Sequence, residues 1–160
     1  MRKTISTVVA ALGCIAVQVS SGQTANEVVE WSAQVDSTKP LRIGQGLWVS
    51  ITANIERGWH VYSMTQPKGG PHKLEIAVPE GQAFKQAGRA LGPRPEAVYD
   101  STFRMNMESY RGTTVFKLPV IVDSVAQGVL LKASIDVTFQ ACSDRLCLTP
   151  ATIRLPVHKR

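Results

Sequence analysis

Two cysteines, Cys142 and Cys147, stand with four residues between them in Phe139-Gln140-Ala141-Cys142-Ser143-Asp144-Arg145-Leu146-Cys147-Leu148-Thr149-Pro150. Two thiols at that spacing can close into a disulfide and open again. The chemistry on offer is exchange: a thiolate attacks a disulfide sulfur in line and passes through a mixed disulfide. That reaction requires neither cofactor nor metal. The third cysteine of the chain, Cys14, lies in an N-terminal stretch that reads as a removed signal. The mature chain then carries one pair and no other thiol.

The flanking residues must bring the two sulfurs together. Leu131, Ala133, Ile135, Val137 and Phe139 alternate with Lys132, Ser134, Asp136, Thr138 and Gln140. Such a split is the mark of a half-buried strand. Ile153, Leu155 and Val157 alternate with Arg154 and Pro156 as a second strand. Ser143 to Leu146 is then a hairpin loop of ordinary length. Opposed Cα atoms across a hairpin lie about 4.5–5.5 Å apart, inside the usual disulfide window. A bond closing so short a loop stabilises by only about 2 kcal/mol, against about 5 for a hundred-residue loop. Spacing alone leaves redox exchange and a structural staple equally open. If the strand runs on unbroken, Cys142 falls on the Thr138/Gln140 face, off the main core and nearer solvent or a covering loop.

Other chemistries find less support. His60, His72, His158, Met64, Met105, Met107 and the two cysteines are the residues from which a copper site would be drawn, since soft sulfur suits Cu(I). Met105 and Met107 are the tight sulfur pair beside the cysteines, and this reading is the weaker one. No nucleophile motif or paired-carboxylate constellation points to a hydrolase.

The chain opens with Met1-Arg2-Lys3, and Thr4 to Val19 is mostly small and apolar, with no acidic residue before Glu27. This is the layout of a secretory signal over residues 1–22, with cleavage within 21–25. It is too short to span a membrane. An imperfect lipobox, Ala11-Leu-Gly-Cys14, makes a lipid anchor at Cys14 the lesser reading. Export implies a compartment where disulfides persist. Removing Arg2 and Lys3 lowers the formal charge from +6 to +4. The basic residues are scattered and no nucleic-acid motif accompanies them, which argues against nucleic-acid binding.

The remaining ~135–140 residues suit a single domain over 26–160. Val28 to Val35 reads as a strand with Trp31 in the core. Leu47, Val49, Ile51, Ala53 and Ile55 form another, and Trp59 to Met64 a third, with Trp59 and Val61 on one face and His60 and Tyr62 on the other. Leu74 to Val78 and Val115 to Val122 follow. Pro119 inside the latter argues for an edge or a bulge. Many short strands at turn-marked intervals predict an all-β sandwich or barrel. Residues 92–110, with Tyr99, Phe103 and Tyr110, form the least regular region. Read alone, it is a surface loop with tucked aromatics; long loops in compact domains are also often lids.

Gln140 to Pro150 resembles the active-site segment of the N-terminal periplasmic domain of the thiol:disulfide interchange protein DsbD family. Gly58-Trp-His-Val-Tyr-Ser63, Gly69-Gly70-Pro71 and Tyr110-Arg-Gly-Thr-Thr-Val-Phe116 fit the same family in the same order, over roughly Val28 to Val157. The resemblance implies an immunoglobulin-like β-sandwich in which Cys142 and Cys147 pass electrons as part of a protein-disulfide reductase system. The donor is a membrane-embedded and thioredoxin-like relay. The acceptors are oxidised periplasmic proteins, including disulfide isomerases and cytochrome c maturation thioredoxins. It further implies that Cys147 is the sulfur that partners engage and that Cys142 resolves. The resemblance also implies a cap over the pair, with Tyr99 and Phe103 the candidates for its shielding ring and Tyr62 and His60 bordering the site. The chain ends at Arg160 without a transmembrane or thioredoxin-like segment, so a separate protein is the expected donor. The rival reading is a secreted β-sandwich binding module with a permanent disulfide. Arg145 favours a thiolate and Asp144 opposes it, and neither a helix N-terminus nor a Cys-X-X-Cys spacing is at hand to acidify the pair, so the thiols are expected not to be unusually acidic.

Overall fold

Alternation of apolar residues along successive segments produces strands, and their buried faces close on each other. The computed structural model describes residues 23–35, 37, 40–67, 69–101, 103–123 and 133–159. A one-turn helix α1 (Ala25–Val28) leads into β1 (Val29–Val35), β2 (Gly46–Ile55), β3 (Trp59–Tyr62), β4 (Glu75–Ala77) and β5 (Phe84–Gln86). Then come β6 (Glu96–Asp100), β7 (Met105–Tyr110), β8 (Thr113–Val122), β9 (Ser134–Phe139), β10 (Ala141–Ser143) and β11 (Ala151–Lys159). Leu131 and Lys132, the signal reading over 1–22 and Cys14 lie outside the described residues.

Among the described residues the strands form two sheets. The larger has the order β4-β9-β11-β1-β2-β8-β5, the smaller β10-β3-β7-β6. All pairings are antiparallel except that of β1 with β11. The core between the sheets takes Trp31, Val49, Ile51, Phe116, Leu118, Ile135, Val137 and Phe139 from the larger sheet. Val61, Tyr110 and Ala141 come from the smaller. Trp31 stacks on Phe116 and tilts against Phe139, with ring centroids 6.1 and 5.2 Å away. The fold is the all-β, immunoglobulin-like sandwich that the resemblance implies; the strand pattern by itself left sandwich and barrel open.

The structure departs from the sequence reading in three places and decides between the two settings expected for Pro119. Residues 92–110 are not an irregular loop: Glu96–Asp100 and Met105–Tyr110 pair as a hairpin, Asp100 opposite Met105. Every residue of β6 is exposed or nearly so, so no buried face marked it in the sequence. The strand through Phe139 does not run on to Cys142. It stops, and β10 begins after Gln140 in the other sheet. Pro119 takes the second of the two settings expected for it, a bulge, because it lies in β8, which is not an edge strand. Its carbonyl accepts from the Ala87 amide at 2.9 Å, and the neighbouring chain bulges away before rejoining at Leu91 opposite Lys117. The missing proline N–H therefore falls where the ladder is open. Finally, β5 is only three residues long and carries one buried residue, Phe84, too little for a period to show.

Candidate functional site

The cysteine segment is held by the ladder between β9 and β11, whose last pair is Phe139 with Ala151. Beyond it Gln140 spans the gap. Its Nε2 donates to the Leu148 carbonyl at 3.1 Å, and its Oε1 accepts from the His72 amide at 3.1 Å. The chain then crosses to the smaller sheet, where Ala141, Cys142 and Ser143 pair with Val61, His60 and Trp59 of β3. The turn closes locally. The Ser143 amide donates to the Leu146 carbonyl at 2.8 Å, and the Ser143 hydroxyl oxygen accepts from the amides of Arg145 and Leu146 at 3.3 Å each. The Leu148 amide returns to the Ala141 carbonyl at 2.9 Å.

Cys142 and Cys147 thus stand opposite each other and are bonded, with Cα atoms 4.0 Å apart. The two sulfurs have unequal surroundings. Cys142 is fully buried and Cys147 is exposed. Cys142 is off the main core, but the unbroken strand on which the parity reading rests is absent, and Cys142 does not lie near solvent: it belongs to a separate small cluster with Tyr62 and Met107. Phe103 and Met105 pack on that cluster from the outside. The reason is the change of sheet, which turns Cys142 under the β6–β7 hairpin rather than outward from β9.

The hairpin tip is tied down at several points. The Tyr62 hydroxyl donates to Asp100 Oδ2 at 2.8 Å, while Asp100 Oδ1 accepts from the Phe103 amide at 3.1 Å. Arg104 closes the turn with a left-handed φ of 56°. The Phe103 ring meets Tyr62 edge-on at 6.2 Å, and His60 meets Tyr62 edge-on at 5.0 Å. Between hairpin and cysteine loop lies a half-open cleft of about 210 Å³, lined among others by His60, Tyr62, Tyr99, Asp100, Arg111 and Asp144.

Burial, then the Asp100 hydrogen bond and charge, push the Tyr62 phenol well above its ordinary range, so it remains a donor. Burial first and Arg111 second lower the His60 pKa, against the opposing pull of Asp100 and Asp144. His60 is therefore a neutral imidazole at neutral pH.

The structure brings Cys142, Cys147, Tyr62 and Phe103 together. Tyr99 lines the cleft but is 61% exposed and stands outside the packed cluster. Sequence reasoning did not single out Asp100 or Arg111. It marked Met107 only as half of a sulfur pair, whereas here Met105 and Met107 are apolar cover for Cys142. Among the described residues no group of three His, Cys, Asp or Glu side chains is placed to hold a metal ion.

A family profile described as thiol:disulfide interchange protein DsbD, N-terminal, matches residues 26–158. The chain belongs to the DsbD N-terminal domain family. Among solved structures, the N-terminal periplasmic domain of ScsB from Proteus mirabilis aligns with a TM-score of 0.55 at 19% identity. That alignment covers 85% of this chain and 49% of that one, so this chain spans about half of the ScsB structure. The reduced DsbD n-terminal domain of Neisseria meningitidis aligns with a TM-score of 0.49 at 15% identity, over 67% of this chain and 73% of that one. No curated protein matches the chain. The DsbD-family match and the bonded cysteine pair together support thiol–disulfide exchange. Among the described residues no helix is long and apolar enough to cross a membrane.

Proposed function

We propose that this chain performs periplasmic thiol–disulfide exchange. Reducing equivalents pass through Cys142 and Cys147 from a membrane or thioredoxin-like donor to oxidised periplasmic proteins. The observation that carries this reading is the asymmetry of the pair, an exposed Cys147 bonded to a buried Cys142 at a hairpin tip. A partner reaches only one sulfur.

In the loading step a donor thiolate attacks Cys147 and expels Cys142 as a thiolate, which takes up a proton. A second donor thiol then releases Cys147, and the donor leaves as its disulfide. In the delivery step the Cys147 thiolate attacks an oxidised partner and one partner sulfur leaves. Cys142 then attacks Cys147, re-forms the internal disulfide and frees the second partner thiol. Two electrons and two protons move in each direction. Phe103 and Tyr62 act as cover over Cys142, and Tyr99 stands at the cleft mouth where a partner arrives. Thioredoxin-like proteins, including those of disulfide isomerisation and cytochrome c maturation, are the partner class. An exported location with a signal over residues 1–22 is part of the same proposal.

The rival is a binding module in which the disulfide is permanent. Equilibration against thiol buffers, read by alkylation mass shift, separates the two. A potential of roughly −180 to −270 mV supports cycling, and one below about −300 mV marks a staple.

A further inference from the structure

We propose that His60 is the base that takes the thiol proton of Cys142 when that thiol closes the disulfide. The inference rests on the exchange reading and assigns a residue to its resolving step.

The backbone register sets His60 directly opposite Cys142 across the pairing of β3 with β10. Directly opposed residues project to the same face, with Cβ atoms about 4.5–5.5 Å apart, a gap an imidazole ring spans. His60 is 7% exposed, and its Nδ1 is buried with no hydrogen-bond partner. A buried ring nitrogen without a partner is costly, and such groups call for an explanation. In the bonded state Cys142 has no proton to offer. In the reduced state it presents a thiol on the face that His60 shares.

The resolving step has a need that His60 meets. The thiolate, not the thiol, is the nucleophile, and a buried site disfavours the thiolate. Cys142 is fully buried, so it reacts as a thiol unless a base removes the proton as it attacks. His60 removes it, the Cys142 sulfur bonds to Cys147, and the Cys147–partner bond breaks. The partner sulfur leaves with the electron pair and takes the proton back from the imidazolium.

The surroundings suit a base that is used and then reset. Tyr62 lies beside His60 on the same strand, Asp100 at the end of β6, Arg111 just after β7, and Asp144 after β10. Burial and Arg111 keep His60 neutral and able to accept, while Asp100 and Asp144 limit the cost of the transient imidazolium.

Ellman's reagent, an aromatic disulfide, tests this on the reduced protein. Attack by one cysteine releases a first coloured thiolate, and closure by the other releases a second. In the wild type the second release should follow an ionisation that coincides with the His60 value read from its ring protons by NMR. In His60→Phe the ratio of second to first release should fall about 100-fold at neutral pH, the lower end of what a general base supplies. His60→Gln, which can hydrogen-bond but not take the proton, should fall with it. A wild-type second release that rises tenfold per pH unit with no inflection at the His60 value overturns the assignment without recourse to a variant. So does a His60→Gln ratio equal to wild type. If no coloured thiolate is released at all, the exchange reading itself fails, and the role of His60 falls with it.

Discussion

The Tyr62 hydroxyl donates to Asp100 Oδ2 at 2.8 Å and so ties β3, which pairs with the Cys142 strand, to the tip of the hairpin that packs over Cys142. A hydrogen bond to a charged group contributes about 1.5–3 kcal/mol, and partial exposure places this one at the low end. Tyr62→Phe keeps the ring against Cys142 and removes the tie. The expected result is a lower urea midpoint, by about 1–2 kcal/mol of stability, and faster alkylation of the reduced pair. An unchanged alkylation rate would mean that the hairpin holds its place without this bond.

Cys142 and Cys147 should behave differently when mutated singly. Cys142→Ser leaves the exposed sulfur to attack and nothing to resolve the product, so a mixed disulfide with an oxidised thioredoxin-like protein should accumulate. Cys147→Ser leaves only the buried sulfur, and little adduct should form. Non-reducing electrophoresis reads the outcome. Equal trapping by both variants would refute the assigned order of attack.

Phe103 and Tyr99 make opposite predictions as cover. Phe103 packs on the Tyr62–Met107–Cys142 cluster, whereas Tyr99 is 61% exposed beside the cleft. A fully buried Phe→Ala change costs about 3–5 kcal/mol, and a partly buried one correspondingly less. Phe103→Ala should therefore destabilise by about 1–2 kcal/mol and speed alkylation of the reduced pair. Tyr99→Ala should leave stability within about 0.5 kcal/mol, as exposed substitutions usually do. Its effect should appear in partner docking. Denaturant titration and alkylation rates on both variants decide which ring shields the sulfurs.

The approach to the hairpin has its own packing constraint. A Cβ on Gly92 would lie 2.8 and 2.9 Å from the Phe116 ring and 3.1 Å from the Tyr110 hydroxyl. Those two rings already meet edge-on at 4.9 Å, with Phe116 fully buried, so neither has room to give. Gly92→Ala should cost about 1–3 kcal/mol, the usual range for overpacking. Gly46, whose Cβ position meets nothing within 4 Å, is the control and should tolerate alanine. Thermal melting of the two variants makes the comparison.

How much of this was legible in the sequence follows burial. β2 and β8 show a clean period because their inner residues are buried or nearly so and their outer ones, Ser50 of β2 apart, are not. The cysteine hairpin was legible for the same reason in β9 and β11. Strand β6 was not, because all its side chains lie at the surface and exposure leaves no period. The burial of Cys142 was half legible. Parity takes it off the core face, but the crossing at Gln140 depends on contacts with Leu148 and His72 that no local pattern reports. Asp100 carries no signal at all in the sequence. Its role comes from Tyr62, 38 residues away.

Two buried titrating groups at the site should bound the pH range of stability. His60 has its pKa lowered below the ordinary 6.5, chiefly by burial. Below pH 6.5 the unfolded chain binds a proton that the native state holds less well. Stability present above 6.5 is therefore lost as pH falls from 6.5 toward the native value, and the loss levels off below it. Tyr62 has its pKa raised above the ordinary 10.0, again by burial and then by Asp100. Above pH 10 the unfolded chain ionises first, so stability is lost as pH rises. Urea unfolding of the oxidised protein across pH should show a plateau between the two limbs. His60→Phe should flatten the acid limb near pH 6, and Tyr62→Phe the alkaline limb above pH 10. If His60→Phe leaves the acid limb unchanged, the proton uptake there belongs to other groups and His60 is solvated in the native state.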